Sequence, residues 1–237
     1  MGLNQVTLLQ PDDKLDTVFE VFAQAVLHAS DKLKDYLGFS DPEQKLHIST
    51  KTMSTVLLMN FIKFCKEKGV EECISTCIMS RQQELTMGVD WIWTLSGTTT
   101  NVRFQIAVQA IQLTGAHQPT EMDEDPYEKR LERSILDLDP RQTTRLEKLL
   151  DFCSSIGGNC LGLCIVYGVP GRPRDIRGVL TKHLGATTEK GASLTEATVL
   201  HYLENTESFI STKEMIEKHL YRQRGAVDNQ PIYIQFL

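Results

Sequence analysis

Residues 154–175 read SSIGGNCLGLCIVYGVPGRPRD and hold three patterns whose residue types could do chemistry. Gly158-Asn159-Cys160-Leu161-Gly162 has the spacing of a nucleophile elbow with cysteine in the serine position. Residues 168–174 have the glycine content of a phosphate-cradling loop, and Cys160 with Cys164 form a closely spaced thiol pair. An elbow needs a strand before the turn and a helix after it, because the helix N-terminus and backbone amides activate the nucleophile and build the oxyanion hole. Here an apolar helical pattern precedes the glycines and a strand-like run follows, so the order is inverted. A cysteine-dependent hydrolase with Cys160 as nucleophile stays as the alternative reading.

The phosphate loop fails on composition. Val169-Pro170-Gly171-Arg172-Pro173-Arg174 supplies neither the lysine nor the hydroxyl that grip phosphate and magnesium, and its two prolines remove two amides. The cysteines at 73/77 and 160/164 are four apart, not in zinc-type Cys-x2-Cys pairs, and the histidines share no helix face. No Cys-x-x-Cys redox motif is present. These tests imply no cofactor and no metal. The six cysteines, set among apolar residues, are expected to be buried free thiols of a reducing compartment.

The elements that would carry these residues follow from periodicity. Apolar positions Leu15, Val18, Phe22, Ala25, Ala29 and Leu33 predict a helix over 13–37, stopped by Gly38. A second, central helix runs up to Gly69, and a third is expected over 71–84 with Cys73 and Cys77 on one face. Alternation then predicts strands over 89–96 and 102–109, with Trp91 and Trp93 sharing a face and a hairpin loop between. QIAVQAIQL also suits a helix by composition, but its alternation favours strand. A helix with Leu146, Leu149, Leu150, Cys153 and Ile156 on its apolar face precedes a buried strand over 160–168. Pro170 and Pro173 are expected to force the next segment out of the sheet. Two helices follow, the second opened by Ser211 and Glu214 in capping-box spacing, and a strand over 231–236 closes the chain. The expected fold is α+β: one domain over 1–237, with several helices on a small, mostly antiparallel sheet. A mobile acidic loop is expected over 117–140 and a flexible segment over 185–193.

Totals narrow the function classes. A net charge of −6 argues against nucleic-acid binding, which needs an excess of Lys and Arg. No apolar run reaches the length of a membrane span, and the N-terminus lacks a signal-peptide layout, so a cytosolic protein is expected. Gly2 invites myristoylation, but Val6 stands where Ser or Thr is wanted. Arg172, Arg174, Arg177, Lys182 and His183 form a basic cluster past a strand end, suited to carboxylates, phosphates or an anionic lipid surface.

HASDKLKDYLGF at 28–39, NFIKFCKEKGV at 60–70, GVDWIWTLSG at 88–97 and CLGLCIVYGVPGRPRDIRGV at 160–179 together resemble the Rab-fifteen effector family over nearly the whole chain. That resemblance implies an interaction protein without catalysis. It would bind GTP-bound Rab GTPases, Rab-fifteen among them, and regulate receptor recycling from the endocytic recycling compartment. It would be cytoplasmic and peripheral on early or recycling endosomes, its membrane contact indirect through the Rab. Active Rabs present an apolar, aromatic-bearing switch surface, so an effector needs an exposed apolar patch with a polar rim. By analogy with helical effectors, Val18, Phe19, Phe22 and Val26 on the first helix are the preferred contacts. Trp91 and Trp93 with Arg172, Arg174 and Arg177 are the rival set.

Overall fold

In the computed structural model, residues 11–43, 45–46, 48–97, 103–112, 134–135, 143–169, 171–182, 184, 193–205, 209–221 and 233–236 are described. Among these, six strands form one sheet in sequence order: β1 (Ile74–Ile78), β2 (Trp91–Ser96), β3 (Arg103–Gln112), β4 (Cys160–Val169), β5 (Arg172–Leu180) and β6 (Tyr233–Gln235). All neighbours are antiparallel except β3 and β4, which run parallel with Gln105 opposite Cys160. A parallel pair needs a crossover, and helix α4 (Arg145–Ile156) lies within it.

Helices cover both faces of the sheet. On one, α1 (Pro11–Leu33), α2 (Thr50–Glu67) and the short α6 (Thr212–Ile216) bury Phe19, Phe22, Leu57, Phe61 and Met215 against Trp91, Trp93, Ile106, Leu163 and Tyr167. On the other, α4 and α5 (Glu196–Asn205) bury Leu146, Val199 and Leu203 against Cys164, Val166 and Val179. Leu149 and Cys153 of α4 pack on Ala107 of β3 and on Val89, just past α3 (Arg81–Met87). The result is a single compact α+β domain, as the sequence predicted. The central strands are long apolar runs because both sides are covered: eight residues of β4 after Leu161 are as buried as Leu161 itself.

Two expectations fail. The helix predicted over 71–84 is instead β1 followed by the start of α3. Ile74, Thr76 and Ile78 are β-branched and alternate along β1, and the capping box of Ser80 and Gln83 starts the helix only after the strand has ended. The segment after Pro170 does not leave the sheet either. Tyr167 pairs with Ile176 and Val169 with Arg172, so Pro173, Arg174 and Asp175 occupy an irregular stretch where the missing proline N–H breaks no ladder bond. Gly168 (φ 70°) and Gly171 (φ 77°) take the left-handed conformations this tight hairpin needs.

The helix starts behave as their sequences dictate. Ser49, Ser80, Thr144 and Ser211 each accept a bond from a first-turn N–H, the last three within full capping boxes. Glu147 does more than cap α4: its carboxylate accepts the N–H of Thr144 (2.8 Å) and of Leu194 (3.1 Å) and the hydroxyl of Ser193 (3.1 Å), tying the chain before α5 to α4. Desolvation works against its charge, but these bonds outweigh it and hold the carboxyl below the usual range. A depressed folded pKa contributes stability above the unfolded value that is lost as pH falls through the folded one. Glu147→Gln is therefore expected to flatten the acid side of the stability profile relative to the parent, measured by urea midpoints at descending pH; an unchanged slope would contradict the assignment.

The expected loop over 117–140 lies outside the described residues except for Ser134 and Ile135, and the segment over 185–193 except for Ser193.

Candidate partner-binding surface

The preferred contact residues on α1 are not on the surface. Val18, Phe19, Phe22 and Val26 are all buried, Phe22 completely. Phe22 sits edge-on between Phe61 (5.3 Å between centroids) and Trp93 (5.2 Å), and Phe19 edge-on to Phe104. The wide apolar arc of α1 exists because the helix packs on α2 and the sheet together, so the surplus arc inferred from sequence is taken up within the core. Trp91 and Trp93 do share a face, but it is the core face.

The basic cluster divides. Arg172 and Arg174 are exposed on the β4–β5 hairpin, Arg172 in a loose 3.7 Å pair with Asp175. Arg177 turns inward: it is 5% exposed, donates to Asp175 at 2.7 Å and lies 4.1 Å over the Phe209 ring. Its work is internal. Lys182 is exposed and 3.1 Å from the Nδ1 of His219, and partial loss of solvent around its ammonium pushes its pKa down. His183 lies outside the described residues.

Beside the two exposed arginines the fold places aromatic side chains that sequence reasoning did not single out. After α1 the chain turns through Gly38 (φ 73°), and Tyr36 and Phe39 are each 48% exposed. A Cβ on Gly38 would lie 3.4 Å from the Cβ of Pro173, so this turn rests directly on the hairpin carrying Arg172 and Arg174. Two of the sequence motifs that were far apart in the chain, HASDKLKDYLGF and VPGRPRD, thus meet at one edge of the molecule. Leu46, also exposed, follows in the same connection, whose shape is fixed by Asp41: its carboxylate accepts the N–H groups of Glu43, Lys45 and Leu46. Large aromatics beside arginine are the residue types that dominate protein-binding hot spots. Tyr36 and Phe39 were hidden in the sequence because a helix-end aromatic reads the same whether it faces core or solvent.

The fold places the six cysteines in different surroundings. Helix α4 ends at Ile156, Gly157 caps it and β4 begins at Cys160, the inverted order that disfavours an elbow. Cys160 packs in the apolar cluster with Ala107, Leu149 and the Cys153 thiol. Its hydrogen bond with Cys153 stabilises the Cys160 thiolate and holds its pKa down, while the same bond and burial push Cys153 up. Burial raises Cys65 to about 11 and also raises Cys164. The expectation of uniformly buried thiols needs correction: Cys77 on the edge strand is exposed, and Cys73 and Cys160 are partly so. All six are free. Iodoacetamide on the native protein should modify Cys77 and Cys160 well before Cys65 and Cys164, read by peptide mass mapping; Cys164 reacting as fast as Cys77 would contradict the burial.

The comparisons agree with the motifs. The family model for the Rab15 effector matches residues 5–236. A mouse protein, Rab15 effector protein, is 34% identical over 239 residues, covering 100% of each chain. The chain belongs to the Rab15 effector family.

Proposed function

We propose that this protein is an effector that binds the GTP-bound form of Rab GTPases, Rab15 foremost, without catalysis, and so regulates receptor recycling from the endocytic recycling compartment. On this reading it is cytoplasmic and peripheral on early or recycling endosomes. Membership of the Rab15 effector family supports the Rab partner. The observation that carries the choice of surface is the junction of Tyr36 and Phe39 with Arg172 and Arg174 through Gly38 on Pro173. It offers exposed aromatic area with an arginine rim, while Phe19, Phe22, Trp91 and Trp93 are enclosed. Nucleotide selectivity follows if this patch docks on the switch segments, which GTP orders and GDP releases.

Pull-down on Rab15 loaded with a non-hydrolysable GTP analogue or with GDP tests the effector reading: strong capture only on the analogue is expected, and equal capture or none would overturn it. Phe39→Ala combined with Arg174→Ala should weaken capture by at least about tenfold while leaving the thermal midpoint unchanged, since both side chains are exposed.

A further inference from the structure

We infer that the outward face of α2 is a lipid-contact surface that lies on an anionic bilayer, independently of the Rab-binding patch. Helix α2 has two contrasting sides. Met53, Leu57, Leu58, Phe61 and Cys65 face the core. On the opposite side, Lys51, Thr55, Met59, Ile62, Lys63 and Lys66 are all exposed, and their spacing of three and four residues puts them on one sector. Met59 is 66% and Ile62 47% exposed, large apolar side chains standing among lysines.

Charge decides the occupant. The chain carries −6 overall, yet residues 50–68 hold Lys51, Lys63, Lys66 and Lys68 against one acid, Glu67. Glu67 stands 3.9 Å from Lys63 in a pair exposed on both sides, which screens it weakly. A protein-binding face is depleted in lysine and enriched in arginine and aromatics; the Tyr36–Arg174 patch has that composition and the α2 face does not. Lysine with protruding Met and Ile is the composition of a helix lying in a membrane interface. There the apolar tips enter the headgroup boundary and the lysine stems snorkel to anionic phosphates. Among the described residues no helix is long and apolar enough to cross a membrane, so this contact lies on the bilayer. Two apolar tips and a few lysines make a weak anchor alone, which a membrane-borne Rab would strengthen by raising the local concentration.

Cosedimentation of the full chain with vesicles of phosphatidylcholine alone, or with phosphatidylserine added, tests this at low and high salt. The parent protein should partition at least about tenfold more strongly onto the anionic vesicles at low salt and lose that preference at high salt. Met59→Gln with Ile62→Gln should weaken vesicle binding, and Lys63→Gln with Lys66→Gln should remove the anionic preference. Both variants should keep the parental melting curve and parental capture by Rab15 loaded with a GTP analogue in the absence of lipid. Equal binding to both vesicles, no sedimentation with either, or parental sedimentation of the Met59/Ile62 variant would overturn the proposal. So would loss of lipid-free Rab capture in these variants, which would make the face a protein-docking surface.

Discussion

Phe22→Ala should lower the unfolding free energy by about 3–5 kcal/mol, read as a shifted urea midpoint at unchanged slope. The magnitude follows from position. Phe22 is fully enclosed, and its ring meets Phe61 and Trp93 edge-on at 5.3 and 5.2 Å, while Phe61 and Trp93 themselves stand 5.0 Å apart. Removing it takes away both the transfer free energy of a large side chain and the hub of a three-ring cluster that joins α1, α2 and β2, and the surrounding rings can collapse only partly into the space. Phe22→Leu should recover most of the loss. This substitution also separates the two readings of α1. If Phe22 were an exposed anchor for a partner, the alanine variant would keep its stability and lose only binding.

Gly88→Ala is expected to cost roughly 3–5 kcal/mol by combining two independent penalties. Gly88 ends α3 at φ 70°, a left-handed conformation that suits glycine, and its N–H closes the helix on the carbonyl of Glu84 at 2.9 Å. A methyl there would also stand 2.0 Å from the carbonyl oxygen of Arg145 and 2.8 Å from the N–H of Leu149. The obstacle is backbone on α4, which cannot turn aside as a side chain would. That stretch of α4 is itself held down: Arg145 donates to Asp90 at 2.6 Å, the other Asp90 oxygen accepts the N–H of Ala110 at 2.7 Å, and Lys148 donates to the carbonyl of Leu85 at 3.1 Å. Relief of the overlap therefore has to separate α3 from α4. Gly69→Ala is the control: its φ is 67°, but nothing lies within 4 Å of the added carbon, so only the conformational part should appear, about 1–2 kcal/mol. Equal costs at the two positions would contradict the close approach of α3 to α4.

How far the sequence was legible depended on whether local pattern and tertiary placement agreed. Strand β2 was readable because Trp91, Trp93 and Leu95 alternate strictly with less buried neighbours, and β4 because a strand covered on both faces must be apolar throughout. Strand β1 was misread because Cys73, Ile74, Cys77 and Ile78 satisfy a helical spacing as well; its β-branched residues and the downstream Ser80–Gln83 capping box were the signals that pointed the other way. Strand β5 was lost to a rule about proline that holds for regular ladders, whereas Pro173 sits in an irregular stretch of the hairpin. The partner surface was half visible. Arg172 and Arg174 could be picked out by charge, but their aromatic neighbours Tyr36 and Phe39 come from the other end of the chain and join them only through the contact of Gly38 with Pro173. Arg177, in the same basic run, became an internal residue because the strand carries it over Phe209.

Hydrogen exchange of the full chain with and without Rab15 loaded with a GTP analogue tests the central claim most directly. Binding through the proposed patch predicts slowed exchange in peptides covering 34–46 and 171–177, little change along α2 and α5, and no change when Rab15 carries GDP. Protection confined to any other surface, with 34–46 and 171–177 exchanging at their free rates, would contradict it.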